Sequence, residues 1–283
     1  MNSIIDVDGS FGESGGQIIR TGIGLSAVTG KPVRIFNIRK GRPNPGLKAQ
    51  HMKGIEAVAK LCNAEMKGLT LNSTELEFIP GKLSHRPLEI DIGTAGSITL
   101  VLQTLMIPAV YTERELVFEI TGGTNVAWSP TIEYFQDIFC DFMRKMGINI
   151  HLDIIKYGFY PKGGGAVKVS LEPGNLKPVN LTERGKQKLV DARSIASVEL
   201  ERAKVAERQI GGAEIIMRLD SKNAEYVSSY SPGSSIHLCA EYEKCRLGAS
   251  ALGERGKPAE RVGEEAASLL KGQIDSGACL DQW

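Results

Sequence analysis

The chain has 283 residues, with 34 basic and 33 acidic side chains and a formal net charge of +1. This length supports one or two domains, and the near-neutral charge excludes global electrostatic attraction to nucleic acid, so any such affinity must come from local patches. No apolar run reaches the ~18 residues that a bilayer-spanning helix needs. The five cysteines contain no C-x-x-C pair. We therefore expect a reduced cytoplasmic protein without a membrane segment or a structural zinc.

The first predicted elements form a short α/β unit. Gly15-Gly16 begins an apolar helical pattern that Thr29-Gly30 ends, and residues 33–35 follow as a strand. A second amphipathic helix is predicted over 52–62, followed by alternating strand residues over 69–78.

The same layout returns about 80 residues later. It comprises a helix over 98–110, a strand over 116–118, a helix over 132–146 and strands within 148–169. We interpret the pattern as a βαβαββ-type unit occurring twice, each copy too small to bury its helices alone. Chance similarity between amphipathic helices is the alternative.

The sequence changes character after Pro178. The predicted elements beyond it are a helix over 203–210, strands over 213–219 and 235–242, and a last helix over 258–274. We therefore predict a large repeat domain over 1–180 and a smaller inserted α/β domain over 181–274.

Residues 14–55 form a basic stretch. It carries eight basic side chains and no acid, although 33 acids in 283 residues would place about five in such a window. The basic residues are Arg20, Lys31, Arg34, Arg39, Lys40, Arg42, Lys48 and Lys53. A run of charge can be a solvated face, but interleaved Gly, Gln and His favour a phosphate-binding surface.

Several residues around this stretch are candidates for chemistry. Glu13 either holds a divalent metal or orients an arginine, or it caps the following helix. Arg20 lies one turn into that helix, and Arg39 and Arg42 flank Gly41, where they could clamp one phosphate. No G-x-x-x-x-G-K-[ST] loop is present, which argues against a P-loop mechanism.

Two polar residues have a structural and a functional interpretation. His51 is either a structural hydrogen-bond donor or a phosphate contact at the start of a helix. Gln103 lies among apolar residues and is either a satisfied core amide or a reader of a base or ribose. The turn Gly163-Gly164-Gly165 permits close backbone approach, although a β-hairpin needs that as well.

Five ordered motifs resemble those of RNA 3'-terminal phosphate cyclases. They are Glu13-x-Gly-Gly-Gln-Ile-x-Arg20, Ile38-Arg39-x-Gly-Arg42-x-x-Pro-Gly-Leu-x-x-Gln-His51, Gly93-Thr94-Ala95-Gly96-Ser97 with Gln103, Gly122-Gly123-Thr124, and Gly158-Phe159-Tyr160-Pro161-x-Gly-Gly-Gly165. The resemblance implies a large domain of tandem repeats, like that of enolpyruvate transferases, with a small α/β insert. It also implies ATP-dependent conversion of an RNA 3'-phosphate into a 2',3'-cyclic phosphate, through adenylylation of a histidine and then of the RNA phosphate.

Residue roles follow from the resemblance position by position. Glu13 would hold Mg²⁺ or Mn²⁺. The RNA 3'-phosphate site would comprise Arg20, Arg39, Arg42, Gln50 and His51. The ATP pocket would comprise Gln103, Pro130 and Trp283.

The sequence departs from the family pattern at its end. The family's third repeat supplies a Leu-Ala-Asp-Gln motif and then the nucleophilic histidine, whereas Trp283 occupies the aromatic position just before that motif. None of the four histidines matches the nucleophile. We therefore expect residues 275–283 to begin a truncated third repeat, and the chain to be inactive as it stands.

Two other functions remain open. One is a non-catalytic cyclase-like RNA-binding protein of ribosome biogenesis, and the other is an enolpyruvyl-type transferase. The complete set of phosphate-site residues favours the cyclase.

Overall fold

The computed structural model describes residues 3–282, which form a mixed α/β structure. The strands are β1 (Ile5–Asp8), β2 (Val33–Phe36), β3 (Glu65–Lys67), β4 (Leu76–Ile79), β5 (Leu88–Asp91), β6 (Leu116–Gly122), β7 (Asn149–Lys156), β8 (Gly165–Glu172), β9 (Gln187–Ser197), β10 (Ser221–Val227), β11 (Ser234–Tyr242) and β12 (Arg246–Leu252). The helices are α1 (Gln17–Thr29), α2 (Ala49–Cys62), α3 (Ile98–Ala109), α4 (Ile132–Tyr134), α5 (Cys140–Lys145), α6 (Val205–Ile216) and α7 (Ala259–Ser276). A π-helical segment (Phe135–Phe139) joins α4 to α5, and a 3-10 helix (Val198–Ala203) precedes α6.

The strand orders confirm the predicted repeat. The first sheet has the order β1-β2-β4-β3, and the second has the order β5-β6-β8-β7. Each sheet arises from the same succession of strand, helix, strand, helix and two strands. In the first sheet β1 runs parallel to β2, while β4 is antiparallel to both β2 and β3. The tandem βαβαββ fold class is therefore correct.

Local sequence explains the helices of the first repeat. The buried residues Ile19, Ile23 and Ala27 recur every four positions of α1, which places them on one face. Gly30 ends the helix with a φ of 66°, a left-handed conformation that glycine adopts without strain. Helix α2 begins three residues earlier than predicted, at Ala49, so His51 lies within its first turn.

Two predictions in the repeats were wrong in detail. Only residues 76–78 of the predicted 69–78 strand belong to β4, because Gly68, just before this range, and Asn72 within it have positive φ angles of 83° and 64° and interrupt the extended chain. The predicted helix over 132–146 is helical but contains the π segment. Its i→i+5 bonding shifts the faces of the helix relative to a simple 3.6-residue pattern.

A third sheet, with the order β10-β9-β11-β12, lies in the later part of the chain. Helices α6 and α7 pack against it and against each other around one apolar core. The helices approach closely at Gly212 and Gly263, where a Cβ atom would lie 2.0 Å from the Glu260 carbonyl oxygen and 1.8 Å from the Gln209 carbonyl oxygen. Only glycine fits these positions.

The predicted strand over 213–219 was wrong. Ala213 and Ile216 extend α6, because the buried residues Ala206, Ile210 and Ala213 continue a helical period. The strand follows later, as β10, and β9 and β12 were not predicted at all. The predicted 235–242 strand and 258–274 helix are confirmed as β11 and α7 within two residues at each end.

The chain divides into two compact units. One contains residues 3–92, 100–120 and 168–175, and the other contains residues 93–99, 121–167 and 176–282. Within residues 3–282, no helix is long and apolar enough to cross a membrane. The domain boundaries at 180 and 274 stay a prediction.

Candidate phosphate-binding site

The N-terminus of α1 is the centre of the candidate site. Gly16 is the N-cap residue, no side chain caps the helix, and its first turn contains no acidic residue. The first backbone N–H groups of such a helix have no intrahelical partner, and the helix dipole makes this end positive. An anion would satisfy both the hydrogen-bonding groups and the charge.

Arg20 brings an uncompensated positive charge to this helix end. Its Nη2 donates to Gln17 Oε1 at 2.7 Å, while its Nε is buried without a hydrogen-bond partner among residues 3–282. Burial lowers the pKa of Arg20, although a guanidinium stays charged at neutral pH. Arg20 is half-buried, and a partly buried cation without a carboxylate costs free energy unless an anion joins it. Sequence reasoning missed the supporting role of Gln17.

His51 presents a neutral imidazole to the same point. The backbone N–H of Lys48 donates to His51 Nδ1 at 3.1 Å, so the neutral ring carries its proton on Nε2. The side chain is only 8% exposed. Burial first, and then the charges of Arg39, Arg20 and Lys48, lower its pKa to about 4.

Gly16 lies directly against the side chains of His51 and Arg20. A Cβ atom on Gly16 would lie 2.4 Å from His51 Nε2 and 3.1 Å from Arg20 Nη1. Both donors therefore face the helix end directly. The Nε2–H group and the guanidinium can together donate to one phosphate that sits there.

The loop after β2 adds two further guanidinium groups. Arg39 has a φ of +55°, and its Nη1 donates to the carbonyl oxygens of Asn44 at 2.8 Å and Gly46 at 3.0 Å. Burial and the neighbouring charge of Arg42 lower the pKa of Arg39. Arg42 Nη2 lies 3.4 Å from where a Cβ of Gly15 would be. Arg42 therefore lies beside the glycines that precede α1, and Arg39 is close enough to His51 to lower the pKa of its imidazole.

Ser14 holds this loop against the helix entry, and sequence reasoning missed it. Its hydroxyl donates to the Gly9 carbonyl oxygen at 3.1 Å and accepts from the Gly41 N–H at 3.1 Å. Its φ of 55° is uncommon for serine. A small polar residue just before Gly15-Gly16 was the available signal, but only tertiary contacts show its partners.

Glu13 pairs with Arg42, at 3.2 Å between Oε2 and Nη2. The Glu13 side chain is 91% exposed, so this pair is weak and Arg42 is available to a ligand. Residues 3–282 contain no group of three or more His, Cys, Asp or Glu side chains arranged to hold a metal. The arrangement fits Mg²⁺ only if water and substrate phosphates supply the other ligands, which is its usual behaviour.

Other members of the basic stretch do not join the cluster. Arg34 pairs with Asp6 at 2.7 Å and lies 3.8 Å from Glu75, and Lys53 pairs with Glu56 at 2.9 Å. These residues are the solvated basic face that the sequence also permitted. Arg34 and Lys53 are thus paired surface charges, whereas Arg20, Arg39 and Arg42 have no buried carboxylate partner among the described residues.

The remaining predicted residues are placed individually. Gln50 is half-buried in the first turn of α2, and Gln103 is half-buried on α3. The Pro130 carbonyl oxygen accepts a hydrogen bond from Thr99 Oγ1 at 2.9 Å. Trp283 lies outside the described residues. A role for these residues in binding ATP stays a prediction.

Comparison with known proteins identifies relatives of the whole chain. The family described as RNA 3'-terminal phosphate cyclase matches residues 11–283. The RNA 3'-terminal phosphate cyclase of Archaeoglobus fulgidus is 44% identical over 98% of the chain and 84% of its own length. Those of Methanopyrus kandleri and Pyrococcus abyssi are 44% and 45% identical over 99% of the chain and 82% and 83% of their own lengths.

Proposed function

Because the chain belongs to the RNA 3'-terminal phosphate cyclase family, we propose that it acts on the 3'-phosphate of RNA and converts it to a 2',3'-cyclic phosphate with ATP. The observation that carries the proposal is the convergence of Arg20, Arg42 and His51 Nε2 on the glycines before α1. Such a cluster suits a terminal phosphate, which carries more charge and more free oxygens than a diester within the chain.

In this proposal each residue has a defined part in binding. The α1 N–H groups and the Arg20 guanidinium take the phosphate oxygens, and His51 donates its Nε2 proton to one of them. Arg42 exchanges its exposed Glu13 partner for the phosphate. Arg39 adds positive charge from a guanidinium that two carbonyl oxygens hold in place. Gln50 lies one residue before His51 and would contact the same RNA end.

ATP and magnesium would complete the reaction. ATP would supply the adenylyl group to the terminal phosphate with release of pyrophosphate, and attack by the neighbouring 2'-hydroxyl would then release AMP and a proton. Glu13 would hold Mg²⁺ beside the phosphates, and Gln103, Pro130 and Trp283 would line the nucleotide pocket. The proposal assigns no nucleophile among the four histidines. Five free thiols are consistent with a reducing compartment, and we place the protein in the cytoplasm.

The first experiment compares two RNA oligonucleotides that differ only in a 3'-phosphate or a 3'-hydroxyl. Arg39→Ala and Arg42→Ala should each weaken binding of the phosphorylated RNA by about 1.5–3 kcal/mol, the scale of a charge-assisted hydrogen bond. Binding of the hydroxyl-ended RNA should change far less. Equal losses for both RNAs would show that the arginines contact the backbone and not the end.

The second experiment tests the reaction and the nucleotide pocket. Incubation with ATP and Mg²⁺ should make the RNA terminal phosphate resistant to phosphatase if one of the four histidines acts as the nucleophile, whereas an end that stays sensitive would bear out the expectation that the chain is inactive as it stands. Gln103→Leu should weaken ATP binding without a change in thermal stability, since leucine suits the apolar neighbours. A change in stability alone would make Gln103 a core amide.

A further inference from the structure

Three neighbouring loops of the second compact unit carry exposed aromatic side chains that the phosphate site does not use. Trp128, Tyr160 and Tyr230 are 96%, 76% and 60% exposed. None of the loops contains an Asp or a Glu. We call them the three-loop surface, which comprises residues 123–131, 156–165 and 228–235.

Hydrogen bonds join the three loops to one another. The Thr124 N–H donates to the Gly158 carbonyl oxygen at 2.9 Å, and the Gly158 N–H donates to Thr124 Oγ1 at 3.1 Å. The Lys162 N–H donates to Ser231 Oγ at 3.1 Å. The aromatic side chains therefore project from a connected backbone and not from independent loops.

The backbone at Trp128 is held in an unfavourable conformation. Its φ is +67°, which is unusual for a bulky residue, and its indole is almost wholly exposed. Neighbouring bonds maintain the loop: Ser129 Oγ donates to the Val126 carbonyl oxygen at 2.9 Å, and the Pro130 carbonyl oxygen accepts from Thr99 Oγ1 at 2.9 Å. A strained residue that holds an aromatic ring in solvent is a candidate binding position.

The lysines of the surface supply unpaired positive charge. The Lys156 ammonium lies 3.5 Å from the centroid of the Tyr230 ring, which fixes its position. Gly164 leaves room for that ring, since a Cβ there would lie 2.1 Å from Tyr230 Cδ2. Lys162 is exposed in the adjacent turn. Neither lysine forms an ion pair in the part of the chain that the structure describes.

We propose that the three-loop surface binds single-stranded RNA. Bases stack on Trp128 and Tyr160, and Lys156 and Lys162 neutralise backbone phosphates. Exposed aromatic rings next to unpaired cations are the combination that binds single strands without sequence preference. The inference rests on the proposed function for the identity of the nucleic acid.

The test uses three probes with the full chain: a twelve-nucleotide oligouridylate with a 3'-phosphate, the same oligomer with a 3'-hydroxyl, and uridine 3'-monophosphate. Trp128→Ala and Tyr160→Ala should each weaken binding of both oligomers about fivefold or more, the scale of one lost stacking contact. Binding of the mononucleotide should stay unchanged. Tyr160→Phe should bind as the wild type does, because it keeps the ring.

Tyr111→Ala is the matched control, since Tyr111 is 54% exposed in the other compact unit. Unchanged oligomer binding by both alanine variants, or an equal loss with Tyr111→Ala, would overturn the inference. So would displacement of the RNA by oligoglutamate as effectively as by a second oligouridylate, which would indicate an acidic protein partner. If the wild type fails to distinguish the two RNA ends, the proposed function fails, and the two alanine variants still test this surface.

Discussion

The two βαβαββ repeats share a strand order but treat their charged groups in opposite ways. In the first repeat, Arg20 has a buried Nε without a partner, and Arg39 is held by carbonyl oxygens and not by a carboxylate. The pKa of His51 is lowered so far, by burial and by neighbouring cations, that the ring is neutral. The first repeat therefore carries positive charge, on Arg20 and Arg39, that no carboxylate among its described residues neutralises.

In the second repeat the buried acidic side chains have protein partners, and those of Asp137 lie outside the repeat, on β9 and β11. Glu133 is buried, and its two carboxylate oxygens accept from Asn125 Nδ2 at 3.1 and 2.9 Å. Asp137 binds Arg193 and lies 3.4 Å from His237 Nε2. These groups stabilise the junction with the strands that follow, and they need no ligand.

The difference in charge pairing between the two repeats indicates that the first repeat is the one adapted for binding. Uncompensated charge destabilises the free protein, so it persists where a ligand supplies the counter-charge. The second repeat has the same topology, but its charges are paired, so we expect its role to be structural. Mutations in the second repeat should therefore alter stability, and mutations in the first should alter binding.

The largest effect is expected from Asp137→Asn. This change leaves the partly buried Arg193 without its carboxylate and should lower the free energy of unfolding by about 3 kcal/mol. Urea denaturation measures the loss. Asp153→Asn is the control, because Asp153 and its partner His151 are exposed, and it should change stability by no more than about 0.5 kcal/mol. Similar losses of stability in Asp137→Asn and Asp153→Asn would contradict the structural role proposed for the charge pairs of the second repeat.

Arg20→Met should separate binding from stability. We expect the affinity for 3'-phosphorylated RNA to fall by about 2 kcal/mol, because a buried charge-assisted contact is lost. The free protein should keep its stability or gain about 1 kcal/mol, since the unpaired cation is removed. Titration calorimetry and urea denaturation give the two values. A clear loss of stability would mean that Arg20 is compensated in the free protein.

The pH dependence of stability should report the buried imidazole. The folded pKa of His51 is about 4, below the ~6.5 of an unfolded histidine. The unfolded chain therefore binds the proton first, and stability falls as pH decreases below about 6.5. Between pH 6.5 and 5 the loss should be about 1–2 kcal/mol.

His51→Asn keeps an acceptor for the Lys48 N–H and should remove this part of the pH dependence. His151→Asn is the control for the exchange of a histidine for asparagine, since His151 is 71% exposed. Urea midpoints at the two pH values distinguish the variants. A steep dependence that persists in His51→Asn would assign it to other groups.

The smallest effect is expected from Arg34→Ala, within the same basic stretch. Arg34 already pairs with Asp6 on the surface, and such exposed pairs contribute about 0–1 kcal/mol to stability. Affinity for 3'-phosphorylated RNA should not change. A loss of affinity as large as that of Arg20→Met would show that the stretch acts through its overall charge.

The sequence by itself determined the elements whose formation depends on residues close to one another along the chain. Apolar periodicity and glycine stops predicted α1 between Gly16 and Gly30, and Pro258 and Gly277 bound α7 as expected. The repeated order of elements predicted the two matching sheets. The absence of acidic residues from residues 14–55 also pointed to the phosphate-binding cluster, because charge composition is a property of the sequence alone.

Only the tertiary structure decided which cations are free. Arg34 and Arg20 look alike in the sequence, but Arg34 meets Asp6 and Glu75 from outside the stretch. Arg20 meets Gly16 and His51. The prediction of a strand over 213–219 was also wrong because of a distant partner. Helix α7 covers the apolar face of α6, and α6 therefore extends to Ile216. Residues distant in sequence determine whether a side chain is buried and whether its charge is paired. The local sequence pattern does not contain this information.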